Sequence, residues 1–426
     1  MFDLAAIAIA VGCFLVLFLL RHVLARAGVR HKTTSVRTRT ERNHHGAAQR
    51  RRISFGSAPG RNRTCDLALR RRTLYPLSYR RGTTSVARVE VTARTATLEL
   101  AETFVISRES SDTAEVVFVE VQHGKVSGFG EAAPIDRYGE SAESALAYVE
   151  EHADVLGDDP FALEAIEHRL PPREWAARAA IDAALHDLQG KLVDLPVWRL
   201  LGLQREGPPT SWTIWLGDPD DMARRATKAM DFTRLKLKLG AGDGLDVERV
   251  RAVRKVTEAS LQVDVNEAWT FDEARDALPQ LAELGVEYCE QPLPAGDPDG
   301  PRLKGASPIP IYVDEDCHRL SDVAACAERA HGINIKLAKS GGIREAVRMA
   351  HAAHALGLGV MLGCMVESGL GIAAAAQIAS LCNHVDLDGN LLLADDPWPG
   401  VEFSDGVQWP SDQPGLGVRQ EVPDPR

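Results

Sequence analysis

Two periodicities divide the chain. From Ala87 onward, VEVTARTATLEL and AEVVFVEVQ alternate apolar and polar residues, the period-two pattern of half-buried strands, around a loop carrying Arg108. Ser141 to Glu151 and Glu174 to Gly190 place apolar residues at helical spacing. These elements predict a small α+β domain over 87–203. Beyond it, short apolar strands recur around Ile214, Leu237, Val263, Tyr288, Tyr312, Ile335, Met361 and Val385, 23 to 26 residues apart. Helical patterns over Asp246–Thr257, Asp272–Leu284, Leu320–Ala330 and Ile343–Leu356 fill gaps between them. A βα unit of that size repeated about eight times predicts a parallel α/β barrel over 204–394.

The first 86 residues have neither period. Leu4 to Leu20 is an unbroken apolar run succeeded at once by Arg21, Arg26 and Arg30. That is the short end of a membrane helix, with flanks that would keep the rest of the chain in the cytoplasm. Thr33 to Thr84 is rich in Arg, Ser, Thr and Gly and reads as disordered. Its string GRNRTCDLALRRRTLYPLSYRRG, Gly60 to Gly82, resembles peptides produced when a transfer-RNA gene region is read as coding sequence. The expectation is a start-site artefact with the true start at Val86; a single-pass anchor and a basic interaction tail are the alternatives.

Composition fits an ordinary globular enzyme: 426 residues, 45% hydrophobic and 26% charged, enough to bury more than one core. The net charge of −11 conceals a division, because residues 21–88 carry eighteen Lys or Arg against only Glu41 and Asp66. Everything after them is strongly acidic and will repel nucleic-acid phosphates. The seven cysteines form no CxxC pair, the thirteen histidines no HExxH, and GAGDG at Gly240–Gly244 lacks the spacing of a nucleotide loop. A reducing, cytoplasmic setting is expected.

In a parallel barrel the chemistry sits at the carboxyl ends of the strands. The second strand, RLKLKLG, sets Lys236 and Lys238 on one side of the ribbon, and the sixth, GINIKLAKSGG, adds Lys336. Burying ammonium groups there requires anions. Consecutive strands supply them: Asp264 in LQVDVNE, Glu290 in VEYCEQPL and Asp314 in IYVDEDC. Three converging carboxylates match a hard divalent cation, Mg²⁺ most naturally. Lysines beside a cation and one another are expected to have lowered pKa values, so that one can act as a neutral base.

KxK on the second strand, Asp, Glu and Asp ending the third to fifth, and IKLAKSGG on the sixth resemble the enolase superfamily, muconate-lactonizing subgroup, over about residues 87–420. The resemblance implies a modified (β/α)7β barrel with an α+β capping domain, a carboxyl-terminal segment over 395–426 returning to the cap, and a homo-oligomer. It implies that Asp264, Glu290 and Asp314 bind Mg²⁺ and that Lys238 and Lys336 face each other across the substrate α-carbon. Lys236 would help hold the substrate carboxylate. Two opposed lysines suit a 1,1-proton transfer through an enediolate, that is, epimerisation.

The eighth strand narrows the substrate. HVDLDGNLLL carries Asp386 and Asp388 two apart, resembling the pair with which dipeptide epimerases hold the α-ammonium of the substrate. Asp388-Gly389-Asn390 is equally good turn chemistry. Arg108 resembles the arginine that Ala-Glu epimerases use for the second residue's side-chain carboxylate, and Glu367 in CMVESGLG is expected to line the pocket, directly or through backbone at Cys364 and Met365. A Mg²⁺-dependent dipeptide epimerase is the reading; a muconate-type cycloisomerase or o-succinylbenzoate synthase is the alternative.

Overall fold

The computed structural model describes residues 88–420. The apolar run Leu4–Leu20, the basic stretch after it and the expected start at Val86 lie outside the described residues. Within them no helix is long and apolar enough to cross a membrane.

A meander opens the described chain. β1 (Val89–Val105), β2 (Ser110–His123) and β3 (Val126–Ala132) pair antiparallel in order. Helix α1 (Ala142–His152) starts at a reciprocal Ser141/Ser144 capping box; α2 (Leu163–Arg169) and α3 (Trp175–Val193) come next. The alanine run Ala176, Ala177, Ala179, Ala180, Ala183 and Ala184 makes α3 narrow, and the helix is buried over most of its length. Gly128 and Gly130 of β3 meet it, where any Cβ would overlap the carbonyls of Ala184 and Ala180. Small residues on both sides let this helix sit directly on the sheet.

Eight parallel strands then form one sheet in sequence order: β4 (Trp212–Ile214), β5 (Arg234–Lys238), β6 (Ser260–Asp264), β7 (Val286–Glu290), β8 (Ile311–Val313), β9 (Gly332–Ile335), β10 (Gly359–Gly363) and β11 (His384–Asp386). Each apolar centre read from the sequence falls inside one of them. A Thr210–Val385 bridge brings the last strand back beside the first, so the barrel is nearly closed. Helices α4 (Pro219–Lys228), α5 (Asp246–Arg254), α6 (Phe271–Glu283), α7 (Gly300–Ala306), α8 (Leu320–Arg329), α9 (Ile343–Ala355) and α10 (Gly369–Ala376) come after the first seven strands in turn. None separates β11 from the small hairpin β12 (Glu402–Ser404) and β13 (Val407–Trp409). The architecture is a (β/α)7β barrel with an α+β cap.

Cap and barrel share side chains. The Trp398 ring, beyond the barrel, packs 5.7 Å from Phe118 and 5.1 Å from Phe129 of the cap sheet. Leu416 N donates to Asp187 Oδ1 of α3 at 2.7 Å. The carboxyl-terminal segment therefore runs along the cap.

Candidate active site

Register delivers the charged residues to one level. Lys238 pairs with Asp264, and Asp264 with Glu290, across β5, β6 and β7, and all three end their strands. Asp314 and Lys336 come directly after β8 and β9. Over them lies a cavity of about 420 Å³ between cap and barrel, lined by Lys236, Lys238, Lys336, Asp386, Asp388 and, from the cap, Arg108 among others. Gly363 leaves room for one of these lysines: a Cβ there would lie 3.1 Å from Lys336 Cε and 2.8 Å from Asn334 Oδ1.

The carboxylates face lysines. Lys238 Nζ is 2.7 Å from Asp264 Oδ2, and Lys336 Nζ is 2.9 Å from Asp314 Oδ2. Lys236 Nζ reaches Asp386 Oδ2 at 2.7 Å, Glu290 Oε2 at 2.8 Å and Asp264 Oδ2 at 3.2 Å. The contact with Glu290 is an ion pair without hydrogen-bond alignment, which leaves Glu290 Oε2 unsatisfied although buried. Asp386 Oδ1 is unsatisfied in the same way. Among the described residues no group of three acidic, His or Cys side chains stands ready-made as a cation cage, because ammonium groups lie between the carboxylates.

Electrostatics among the protein's own groups favour the charged form of both partners. Burial disfavours charge on Lys236, but Asp386, Glu290 and Asp264 outweigh it and hold the ammonium well above its ordinary pKa. Lys336 is raised likewise, with Asp314 as the chief opposing charge. Burial also disfavours charge on Asp264 and Asp314, yet their lysines hold both below the usual carboxylate range. Lys236 is therefore engaged by three carboxylates, Asp386, Glu290 and Asp264.

The remaining expectations divide. Asp386 and Asp388 both line the cavity. Asp388 Oδ2 accepts the Thr213 amide at 2.7 Å, and burial together with the Asp386 charge pushes its carboxyl up to about 7. The turn reading of Asp388-Gly389-Asn390 coexists with this, since Gly389–Leu392 forms a 3₁₀ turn. Arg108 reaches the cavity from the β1–β2 loop, but its guanidinium already donates to Glu315 Oε1 at 2.9 Å and lies 3.6 Å from Glu267 Oε2. Glu367 does not line the cavity: its Oε1 accepts from Met365 N at 3.0 Å, and Cys364 and Met365 form the wall instead.

Sequence reasoning missed three residues here. Lys339 is buried with Nζ 2.5 Å from Asp314 Oδ1, so Asp314 is shared by two lysines. Its signal was present in IKLAKSGG, where Lys339 comes three residues after Lys336, in the helical turn Leu337–Ser340. Asn334 Nδ2 donates to Glu290 Oε1 at 2.7 Å. Tyr138, from the cap, also lines the cavity, with its ring edge-on to His318 at 4.6 Å.

Comparison with known proteins agrees with this geometry. Residues 88–202 match the family model "Mandelate racemase / muconate lactonizing enzyme, N-terminal domain", and residues 220–423 match "Enolase C-terminal domain-like". An L-Ala-D/L-Glu epimerase of Bacteroides thetaiotaomicron is 40% identical over 329 residues, 75% of this chain and 85% of that protein. A dipeptide epimerase of Enterococcus faecalis, solved in complex with Mg and the dipeptide L-Leu-L-Tyr, superposes with a TM-score of 0.75 at 31% identity, covering 78% of this chain and 99% of that one. A muconate lactonizing enzyme of Pseudomonas fluorescens complexed with muconolactone also superposes at 0.75, with 31% identity, over 79% and 97% of the two chains. The chain belongs to the mandelate racemase/muconate lactonizing enzyme family of the enolase superfamily, in company with the dipeptide epimerases.

Proposed function

We propose that this protein is a Mg²⁺-dependent dipeptide epimerase, an isomerase that inverts the α-carbon of the carboxyl-terminal residue of a dipeptide. One observation carries it: Lys238 and Lys336, from the second and sixth of eight strands, open into the same cavity, and the strands between them end in Asp264, Glu290 and Asp314. The similarity to the Bacteroides and Enterococcus epimerases supports the substrate class.

The donor set fits a hard cation, since Asp264, Glu290 and Asp314 offer only oxygen and Glu290 Oε2 has an unsatisfied lone pair. Asp264, Glu290 and Asp314 would hold Mg²⁺, whose charge would stabilise a substrate carboxylate whose α-proton has left. The protein's own groups move the proton. Nζ of one lysine, as the neutral amine, takes the α-hydrogen and becomes an ammonium, leaving an enediolate. Nζ of the other, already an ammonium, returns a proton to the opposite face and becomes the amine. Each turnover inverts the carbon and exchanges the lysines' protonation states, so the reverse reaction uses them in opposite order. A cation held by Asp264 and Asp314 would compete with Lys238 and Lys336 for the same oxygens and so would favour the amine form of a lysine.

In the same cavity, Asp386 and Asp388 receive the substrate's α-ammonium. This distinguishes a dipeptide from muconate, a dianion that two carboxylates would repel, and weighs against the cycloisomerase reading. Cytoplasmic location and self-association belong to the same reading. The deciding experiment is a screen of dipeptides for α-deuterium exchange in D₂O, beside muconate and succinylbenzoate precursors. Turnover of such a precursor with every dipeptide ignored would overturn the assignment.

A further inference from the structure

Two buried carboxyls take no part in the epimerisation chemistry. Glu131 lies near the end of β3 and Glu367 in the segment between β10 and α10, 8% and 5% exposed. Glu131 reaches from cap to barrel: Oε1 accepts the Ser368 amide at 2.9 Å, and Oε2 accepts the Gly371 amide at 3.1 Å and the Ser368 hydroxyl. Glu367 Oε1 accepts the Met365 amide at 3.0 Å. Gly371 stands between the two carboxyls, since its amide serves Glu131 and a Cβ on it would overlap Glu367 Oε2. Cys364, Met365 and Val366 of the same segment line the cavity, and Met365 Sδ is 4.0 Å from Lys336 Nζ.

We propose that Glu131 and Glu367 form a carboxylate and carboxylic acid pair that positions the Cys364–Val366 wall of the cavity from behind and ties it to the cap. Resting on the assignment of that cavity as the substrate site, the pair sets how well the wall receives substrate while touching neither substrate nor metal. Donor count decides where the proton sits. Glu131 takes three donors at the start of α10, which favour its anion, and Glu367 takes one. Burial pushes both carboxyls up, so that the pair keeps a proton at neutral pH. The Glu367 charge adds to the burial of Glu131 and vanishes when Glu367 holds the proton.

Charged groups surround the pair, and one of them, Asp388 beside Gly389, is itself pushed up to about 7 and titrates alike with and without the Glu367 carboxyl. Lys336 is the cation felt by Glu367, and its Nζ lies 4.0 Å from Met365 Sδ of the wall. Asp396, at the same helix start, holds Gly369 N with both oxygens at 3.0 Å. Across β3, Asp187 of α3 is paired with Lys191 at 2.7 Å. Loss of the proton therefore sets two anions on either side of Gly371, and the repulsion is relieved by moving Met365 and Ser368, which is to say the wall.

Hydrogen exchange of the 364–371 amides in the Mg²⁺-loaded enzyme tests this without reference to substrate. After correction for the intrinsic rate, protection in the unaltered enzyme should fall about tenfold between pH 6.5 and 8.5. Glu367→Gln should remove that fall, because its amide cannot lose a proton. Glu131→Gln should lower protection at both pH values with no further loss at pH 8.5, and it serves alone if Glu367→Gln does not fold. KM for a dipeptide such as L-Ala-L-Glu should rise over the same step about threefold more in the unaltered enzyme than in Glu367→Gln, with kcat moving less; the substrate's own ammonium titrates alike in both. A fall of protection that persists in either variant, or none in the unaltered enzyme, overturns the pair. Failure of every dipeptide to react while the exchange result holds would remove the substrate assignment and leave the pair standing.

Discussion

Lys236 Nζ lies 2.7 Å from Asp386 Oδ2, joining the second strand of the barrel to the eighth across its mouth. The same ammonium also faces Glu290 and Asp264, so one buried cation is shared by three carboxylates. Removing one partner of a buried ion pair costs about 3 to 5 kcal/mol, because the charge left behind is uncompensated. Lys236→Met should therefore lower the melting temperature by several degrees as well as abolish turnover. An unchanged melting curve would show that the tie contributes nothing to the fold.

The two remaining lysines should separate by stereochemistry. Lys238→Ala and Lys336→Ala should each stop net epimerisation, while one stereoisomer still exchanges its α-proton with solvent deuterium, a different stereoisomer in each variant. Full epimerase turnover in both variants excludes the two-base scheme. The readout is NMR of each purified dipeptide stereoisomer in D₂O.

Metal removal should silence the enzyme reversibly. Chelation with EDTA is expected to abolish activity and added Mg²⁺ to restore it. Asp264→Asn should weaken Mg²⁺ binding in a titration calorimeter while the circular dichroism spectrum is retained. Full activity in the chelated protein contradicts the assignment of Asp264, Glu290 and Asp314.

Substrate charge should be read by the eighth strand. A charge-assisted hydrogen bond in a partly dry pocket is worth roughly 1.5 to 3 kcal/mol, so Asp388→Asn should lower kcat/KM for a dipeptide by about 10-fold to 100-fold. N-acetylation of the dipeptide should cost the unaltered enzyme a similar factor and the variant much less, since both changes remove one interaction. Additive losses would place the ammonium elsewhere. Asp386→Asn is the less clean probe, because Asp386 also holds Lys236.

Stability should fall as pH rises from about 5 to 8. Burial holds Glu367 and Asp388 at about 7, against about 4 in an unfolded chain. Within that window the folded protein keeps protons that the unfolded chain has lost. The stabilisation from these carboxyls is thus complete below the unfolded values and is lost as pH climbs through the folded ones. Asp264 and Asp314, shifted downward, act only at more acid pH. Urea unfolding of the EDTA-treated protein at pH 5, 6, 7 and 8 measures the slope, and a rising midpoint would contradict it.

The architecture was legible along the chain because it is repetitive: eight apolar segments at 23 to 26 residue spacing leave few folds other than a parallel barrel. The placing of the strand-end carboxylates and lysines was legible for a related reason. A charged residue ending an apolar strand is costly to bury unless other strands bring it a partner. Sequence spacing says nothing about which oxygen faces which nitrogen, so it could not tell that Lys236 is engaged by three carboxylates, that Lys339 shares Asp314, or that Arg108 is already held by Glu315. Glu131 illustrates the limit. It lies 237 residues from the Ser368 amide it accepts, and only the packing of the cap on the barrel makes that bond. Local pattern determines strands and helices because their forces act over a few residues, whereas the charge state of a buried side chain depends on groups assembled from distant parts of the chain.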